Sequence, residues 1–327
     1  MWKTRTSLSI TSIIVFFSLM ATVVETSQSQ EQYPNRPITV VYGFGPGFGD
    51  SLTRAICKAV EKPVGQPVVV ESKIGATGSI GMNFVVKSTP DGYTLGSNFT
   101  SSYLILPHLR KLPYNPLADS VIIAPYFKYN FALAVKVDAP WNTFEDVIAY
   151  ARKNPGKFTY GSTGVGVPQH IAMERVALQE GIKWTFVPFK SPSEAVVSCL
   201  GGHTDAVSQG SVDVISHVKA GKLKLLLILD DKRWPAFPNI PTILEKGYKF
   251  YAMSYGLING PKGMPEPAIK RLEDAINKAK KDPSFIETLN NFQVESAAVT
   301  GKEYFETLRS EYDEMGRVIK AIGLQEK

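Results

Sequence analysis

The chain has 327 residues, 44% hydrophobic and 20% charged, with 36 basic against 30 acidic side chains and a net charge of +6. These proportions exclude a disordered or fibrous protein, and the length suits about two domains. No lysine/arginine run is dense enough for a nucleic-acid surface. Lys278–Lys281 reads as the solvated end of a helix, so nucleic acid is not expected as a partner.

In chain order, Met1–Thr6 carries Lys3 and Arg5 without an acid, and Leu8–Met20 follows as an uncharged apolar run. That pattern predicts a secretory signal peptide over residues 1–27, because the run is too short to span ~30 Å of hydrocarbon. Beyond it, short β-branched runs alternate with helix-period segments. The first series is strand Ile38–Tyr42, helix Asp50–Glu61, strand Pro67–Glu71, helix Ser79–Lys87 and strand Tyr93–Ser97. The second is strand Phe158–Tyr160, helix Pro168–Gln179, strand Trp184–Val187, helix Ser193–Leu200, strand Asp205–Ser208, helix Val212–Lys219 and strand Leu223–Leu229. Such alternation predicts parallel sheets covered on both faces, hence an α/β protein of two doubly wound lobes.

Two segments connect the series. Ala124–Lys136 suits a strand leaving the first lobe, and Tyr251–Asn259 a strand returning to it. Helices Glu266–Lys281 and Lys302–Ile322, with no strand between them, then pack back on lobe one. The expected division is residues 28–127 with 256–327 for lobe one and 128–255 for lobe two, with a hinge and a central cleft. Cys57 and Cys199 either bridge or lie buried separately, the second being favoured. No His or Cys spacing suits a metal, and no cofactor is expected.

In open α/β sheets ligands bind beyond the carboxyl ends of strands, beside helix N-termini. Four such turns are rich in Gly, Ser and Thr: Gly43–Asp50, Gly75–Gly81, Gly161–Val167 and Gln209–Asp213. Glycine admits close backbone approach, and free N–H groups at helix starts attract anions. A dinucleotide-binding oxidoreductase is the alternative, since Glu71 follows the first glycine loop where a ribose contact would lie. Asp50, however, stands where the third glycine of G-x-G-x-x-G belongs. Gly161-Ser162-Thr163-Gly164 only partly resembles a hydrolase nucleophile turn, and His170 is unsuited by sequence to serve as its base. His108, His203 and His217 read as loop or surface residues.

The stretches YPNRPITVVYGFGPGFGDSLTR, GQPVVVESKIGATGSIG, PDGYTL, NPGKFTYGSTGVG and RWPAFPNIPTILEKGY together resemble the periplasmic substrate-binding proteins of tripartite tricarboxylate transporters. The resemblance runs over roughly Tyr33–Gly323. It implies a periplasmic Venus-flytrap protein, type II-like, without enzymatic activity. Such a protein captures a small organic carboxylate and delivers it, as a monomer, to membrane subunits of the transporter. Candidate ligand contacts are Phe44, Gly45, Pro46, Phe48, Asp50, Ser79 and Asn98 in lobe one. Lobe two supplies Ser162, Thr163, Gly164, Val165, Gly166, His170, Lys190, Gln209 and Asp213. Asp50 is expected to act as a helix N-cap, and the carboxylate to rest on Ser162, Thr163 and the amides of Gly164–Val167. Phe44, Phe48 and Phe189 depart from smaller or more polar family residues, so an aromatic or apolar acid is as plausible as citrate.

Overall fold

The computed structural model describes residues 33–325, and the expected signal peptide lies outside the described residues. The first three apolar runs form parallel strands β1 (Ile38–Tyr42), β2 (Val68–Ser72) and β3 (Thr94–Phe99), connected by helices α1 (Phe48–Val64) and α2 (Ser79–Val86). Helix α1 is longer at both ends than the periodicity predicts. It runs past Glu61 and tolerates Pro63 in its last turn, where the Pro63 carbonyl accepts from Arg271 Nη2 at 3.0 Å. Left-handed Gly65 then closes the helix by donating to the Glu61 carbonyl.

Short helices α3 (Ser101–Leu104), α4 (Leu106–Leu109) and α5 (Pro116–Asp119) follow. The Ala124–Lys136 stretch is two strands, β4 (Ser120–Lys128) and β5 (Phe131–Lys136), belonging to different sheets and separated by Tyr129 and Asn130. The second sheet continues through α6 (Phe144–Lys153), β6 (Thr159–Thr163), α7 (Pro168–Glu180) and β7 (Thr185–Phe189). It is completed by α8 (Pro192–Leu200), β8 (Ala206–Gly210), α9 (Ser211–Lys219) and β9 (Leu223–Ile228). The return strand β10 (Tyr255–Pro261) leads to α10 (Glu266–Ala279), α11 (Pro283–Asn291), β11 (Glu295–Ser296) and α12 (Gly301–Ala321). A helix and a short strand therefore separate the two C-terminal helices that the sequence suggests are consecutive.

The sheets are ordered β11-β4-β10-β3-β1-β2 and β7-β6-β8-β5-β9. Neither is wholly parallel, contrary to the expectation from strand–helix alternation. Strand β10 runs against β3 and β4, and β5 runs against β8 and β9. The crossings explain this: a strand leaving one sheet at its carboxyl edge enters the next sheet at the carboxyl edge too. It must then run opposite to its new neighbours.

Strand β5 shows why each sheet is buried on both faces. Leu133 and Val135 pack in one apolar cluster with Phe144 and Met173, while Ala132 and Ala134 pack in another with Val196 and Val214. Cys57 and Cys199 are free and buried, and burial pushes both thiols up to about 12. Under α1, Thr53 Oγ1 sits 2.9 Å from both Ser97 Oγ and Tyr126 Oη, and these two lie 3.0 Å apart. All three are almost fully buried. Tyr126→Phe should lower the stability measured by urea unfolding by about 0.5–1.5 kcal/mol, the net worth of a buried hydrogen bond. An unchanged midpoint would show that the triad does not stabilise the lobe.

Candidate functional site

The turn from β6 into α7 is built from two left-handed glycines, Gly164 (φ 71°) and Gly166 (φ 78°). Only glycine takes such angles without strain, and each glycine amide is turned back into the protein. Gly164 N–H donates to the Phe189 carbonyl at 3.1 Å, and Gly166 N–H to His170 Nδ1 at 3.1 Å. His170 is buried with its ring 4.0 Å from that of Phe186, and burial pushes its pKa down to about 4. The imidazole is therefore neutral near neutral pH, as an acceptor must be. Helix α7 opens with Pro168, which has no N–H. Among the described residues, the amides of Val165, Val167, Gln169 and His170 make no hydrogen bond within the chain. The amides expected to hold a carboxylate thus divide: those of Gly164 and Gly166 hold the turn, and those of Val165 and Val167 remain open.

Around this turn, Gln209 Nε2 donates to Thr163 Oγ1, and Gln169 Nε2 donates to Gln209 Oε1 at 3.4 Å. Ser162 Oγ is buried without a hydrogen-bond partner among the described residues. Asp213, in the first turn of α9, accepts from Tyr129 Oη at 3.0 Å, and burial raises its pKa to about 6. Lys190 is exposed, its backbone N–H donating to Glu194 Oε2 at 3.2 Å.

In lobe one, the loops after β1 and β2 pack directly on each other. A Cβ on Gly43 would lie 2.8 Å from the Gly78 carbonyl, and one on Gly78 only 2.5 Å from the Phe44 ring. Phe44 also packs edge-on to Phe99 at 4.9 Å, while Phe48 lies 4.6 Å from Tyr129. In lobe two, Phe189 covers Gly161. Gly45 and Pro46 are exposed, and Ser79 begins α2. Asp50 is not the N-cap. The helix begins earlier, with Gly47 at the cap position, and the Asp50 carboxylate accepts from Arg54 Nε at 3.0 Å one turn on. Asn98, near the carboxyl end of β3, is 2% exposed and donates to Asn259 Oδ1 at 2.8 Å on β10.

The two halves meet at a cavity of ≈ 380 Å³ lined by Thr77, Ser102 and Arg110 on one side and by Val165, Gly166 and Val167 on the other. Leu109 touches the turn, since a Cβ on Gly166 would come within 3.0 Å of Leu109 Cδ1. Thr77, Ser102 and Arg110 are absent from the sequence-derived contacts. Thr77 lies within a flagged loop, whereas Ser102 and Arg110 follow β3 without any glycine signal. His108, expected at the surface, is half-buried in α4, its ring 4.3 Å from that of Tyr312.

His170 gives a pH-dependent test. Its folded pKa lies below the ordinary 6.5, so the native chain binds fewer protons than the unfolded chain between about 6.5 and about 4. The stability contributed by the neutral imidazole is lost as pH falls through that window. His170→Asn should melt below the wild type at pH 7, and the gap should narrow as the pH approaches 4. A gap independent of pH would show that the imidazole is not held neutral.

Residues 52–324 match the family described as "Tripartite tricarboxylate transporter family receptor". A UPF0065 protein in the gbd 5′ region of Cupriavidus necator is 34% identical over 296 residues, 90% of each chain. Among solved structures, a TctC solute binding protein from Polaromonas superposes with a TM-score of 0.82 at 28% identity, covering 88% of this chain and 99% of that one. The periplasmic binding protein BugD superposes with a TM-score of 0.69 at 25% identity, covering 90% of this chain and 100% of its own. The oxidoreductase alternative falls with this match, and Glu71 pairs with Lys73 on the exposed edge of β2. The chain belongs to the tripartite tricarboxylate transporter receptor family, whose members are solute-binding receptors and not enzymes.

Proposed function

We propose that this protein is a periplasmic receptor that captures a small organic carboxylate between its two lobes and delivers it, as a monomer, to membrane subunits of a tripartite transporter. The lobes in this reading are residues 28–127 with 256–327, and residues 128–255. One observation supports it: among the described residues the amides of Val165, Val167, Gln169 and His170, all at the start of α7, make no hydrogen bond, and the Val165–Val167 turn borders the cavity. Free N–H groups and the positive end of a helix favour a carboxylate there without a covalent or metal partner.

Thr163 and Gln209 are bonded to each other beside the turn, Ser162 offers a buried hydroxyl next to it, and Gly164 and Gly166 act through their conformation. Phe44 is occupied by packing within lobe one, Phe48 by Phe99, Phe127 and Phe292 of that lobe and by Tyr129 at the crossing, and Phe189 by packing within lobe two, so these rings are not offered as ligand contacts. The apolar wall of the cavity is instead aliphatic, from Ile105, Leu106 and Leu109.

Val167 permits a test of a single amide. Its φ of −76° suits proline, so Val167→Pro removes one donor with little change in backbone angle. That substitution should weaken carboxylate binding by about 1.5–3 kcal/mol, the worth of a hydrogen bond to a charged group. Val167→Ala, which keeps the donor, should bind like the wild type. Calorimetric titration with the carboxylate giving the largest thermal shift reads both. Equal affinities for all three proteins, or no shift with any carboxylate, would overturn the proposal.

A further inference from the structure

We infer that Arg110 is a specificity-determining residue of this site, reading a second carboxylate, so that the ligand is a short aliphatic dicarboxylate. This rests on the function proposed above, in which the first carboxylate sits at the start of α7. Arg110 Nη2 donates to the Ala76 carbonyl at 3.2 Å and to Thr77 Oγ1 at 2.8 Å. Those bonds hold the guanidinium while, among the described residues, Nε and Nη1 make no hydrogen bond. Among the described residues, every arginine other than Arg110 and Arg271 pairs with a carboxylate. Arg271 donates to the Pro63 carbonyl at the end of α1, whereas Arg110 lines the cavity.

Two further observations place the anion at this end of the cavity. Ser102 lines the same cavity, is 2% exposed, and its Oγ has no hydrogen-bond partner among the described residues. A buried hydroxyl without a partner is costly, and an incoming acceptor would recover that cost. Arg110 also clamps a strained turn, since Ala76 (φ 45°) and Thr77 (φ 55°) are both left-handed without being glycine. Such strain gathers at ligand-binding positions. The cavity thus has two separate sets of anion donors: amides on lobe two, and a planar cation with a hydroxyl on lobe one. Ile105 and Leu109 supply aliphatic wall in the same cavity. A monocarboxylate on the amides leaves the guanidinium without a counter-ion, whereas a diacid meets both sets. A guanidinium fork suits this recognition because it matches a carboxylate edge-on.

The test is calorimetric titration of succinate, glutarate and adipate beside butyrate, pentanoate and hexanoate, on wild type, Arg110→Gln and Arg110→Lys. Glutamine carries no charge and ends two bonds short of Nη2, whereas lysine keeps the charge and more of the reach. For the wild type, the best diacid should bind about tenfold or more tighter than the monoacid of equal length, the worth of one charge-assisted pair. Arg110→Gln should abolish that preference while leaving monoacid affinity within about twofold, and lysine should restore part of it as a point charge. A preference that survives Arg110→Gln would overturn the inference. So would a loss equal for monoacids and diacids, which would mean that Arg110 acts only through the Ala76–Thr77 turn. Equal binding of both classes by the wild type would sink this inference alone; no binding of either class would sink the carboxylate reading with it.

Discussion

The hydrogen bond from Gly166 N–H to the neutral imidazole of His170 is the contact on which the site depends. It turns one amide inward, and the Gly164 bond to Phe189 does the same for another. The amides between and after them, those of Val165 and Val167, are left open at the start of α7, without a partner among the described residues. A protonated His170 has no acceptor at Nδ1, so the geometry of the turn and the charge state of the ring are a single constraint. Burial against Phe186 enforces it by disfavouring the imidazolium.

The rest of the architecture brings lobe one to that turn. Because the chain crosses twice between sheets, both sheets direct their parallel strand ends toward the same gap. Ile171 of α7 packs in one cluster with Tyr103, Leu104 and Met315, and Arg175 reaches Glu311 at 3.8 Å. At the crossings, Lys128 pairs with Asp231, and Asn130 Nδ2 donates to Glu295 Oε1 at 2.9 Å. Asp230 lies fully buried beside them, its pKa raised to about 7 by burial and held from rising further by Lys128. The crossings thus add polar, hydrogen-bonded contacts beside an apolar cluster that runs through Phe127, Tyr129 and Phe131 from one sheet to the other.

Much of this was legible in the sequence, because it depended on local pattern. The alternation of β-branched and amphipathic runs located the parallel strands of both sheets and their connecting helices, and the glycine-rich turns located the loop between β6 and α7. Two omitted helices carried signals that could have been read: Thr143 and Asp146 form a capping box before α6, and Asp282 caps α11 ahead of Pro283. What pattern could not give was anything decided by chain segments meeting in space. The reversal of β5 and β10 follows from the crossings, not from their composition. The rings of Phe44 and Phe48 read as ligand-facing until Gly78 and Tyr129 are seen to claim them. Arg110 carries no local signal because its partners, Ala76 and Thr77, come from an earlier loop of the chain.

The central claim is that open amides at the start of α7 hold a carboxylate, and amide NMR reads those atoms directly. With ¹⁵N-labelled protein titrated with succinate, the resonances of Val165, Val167, Gln169 and His170 should move progressively and saturate together. Gly164 and Gly166, already bonded to Phe189 and His170, should move less. Saturable movement confined to other parts of the chain, with these four amides still, would contradict the account.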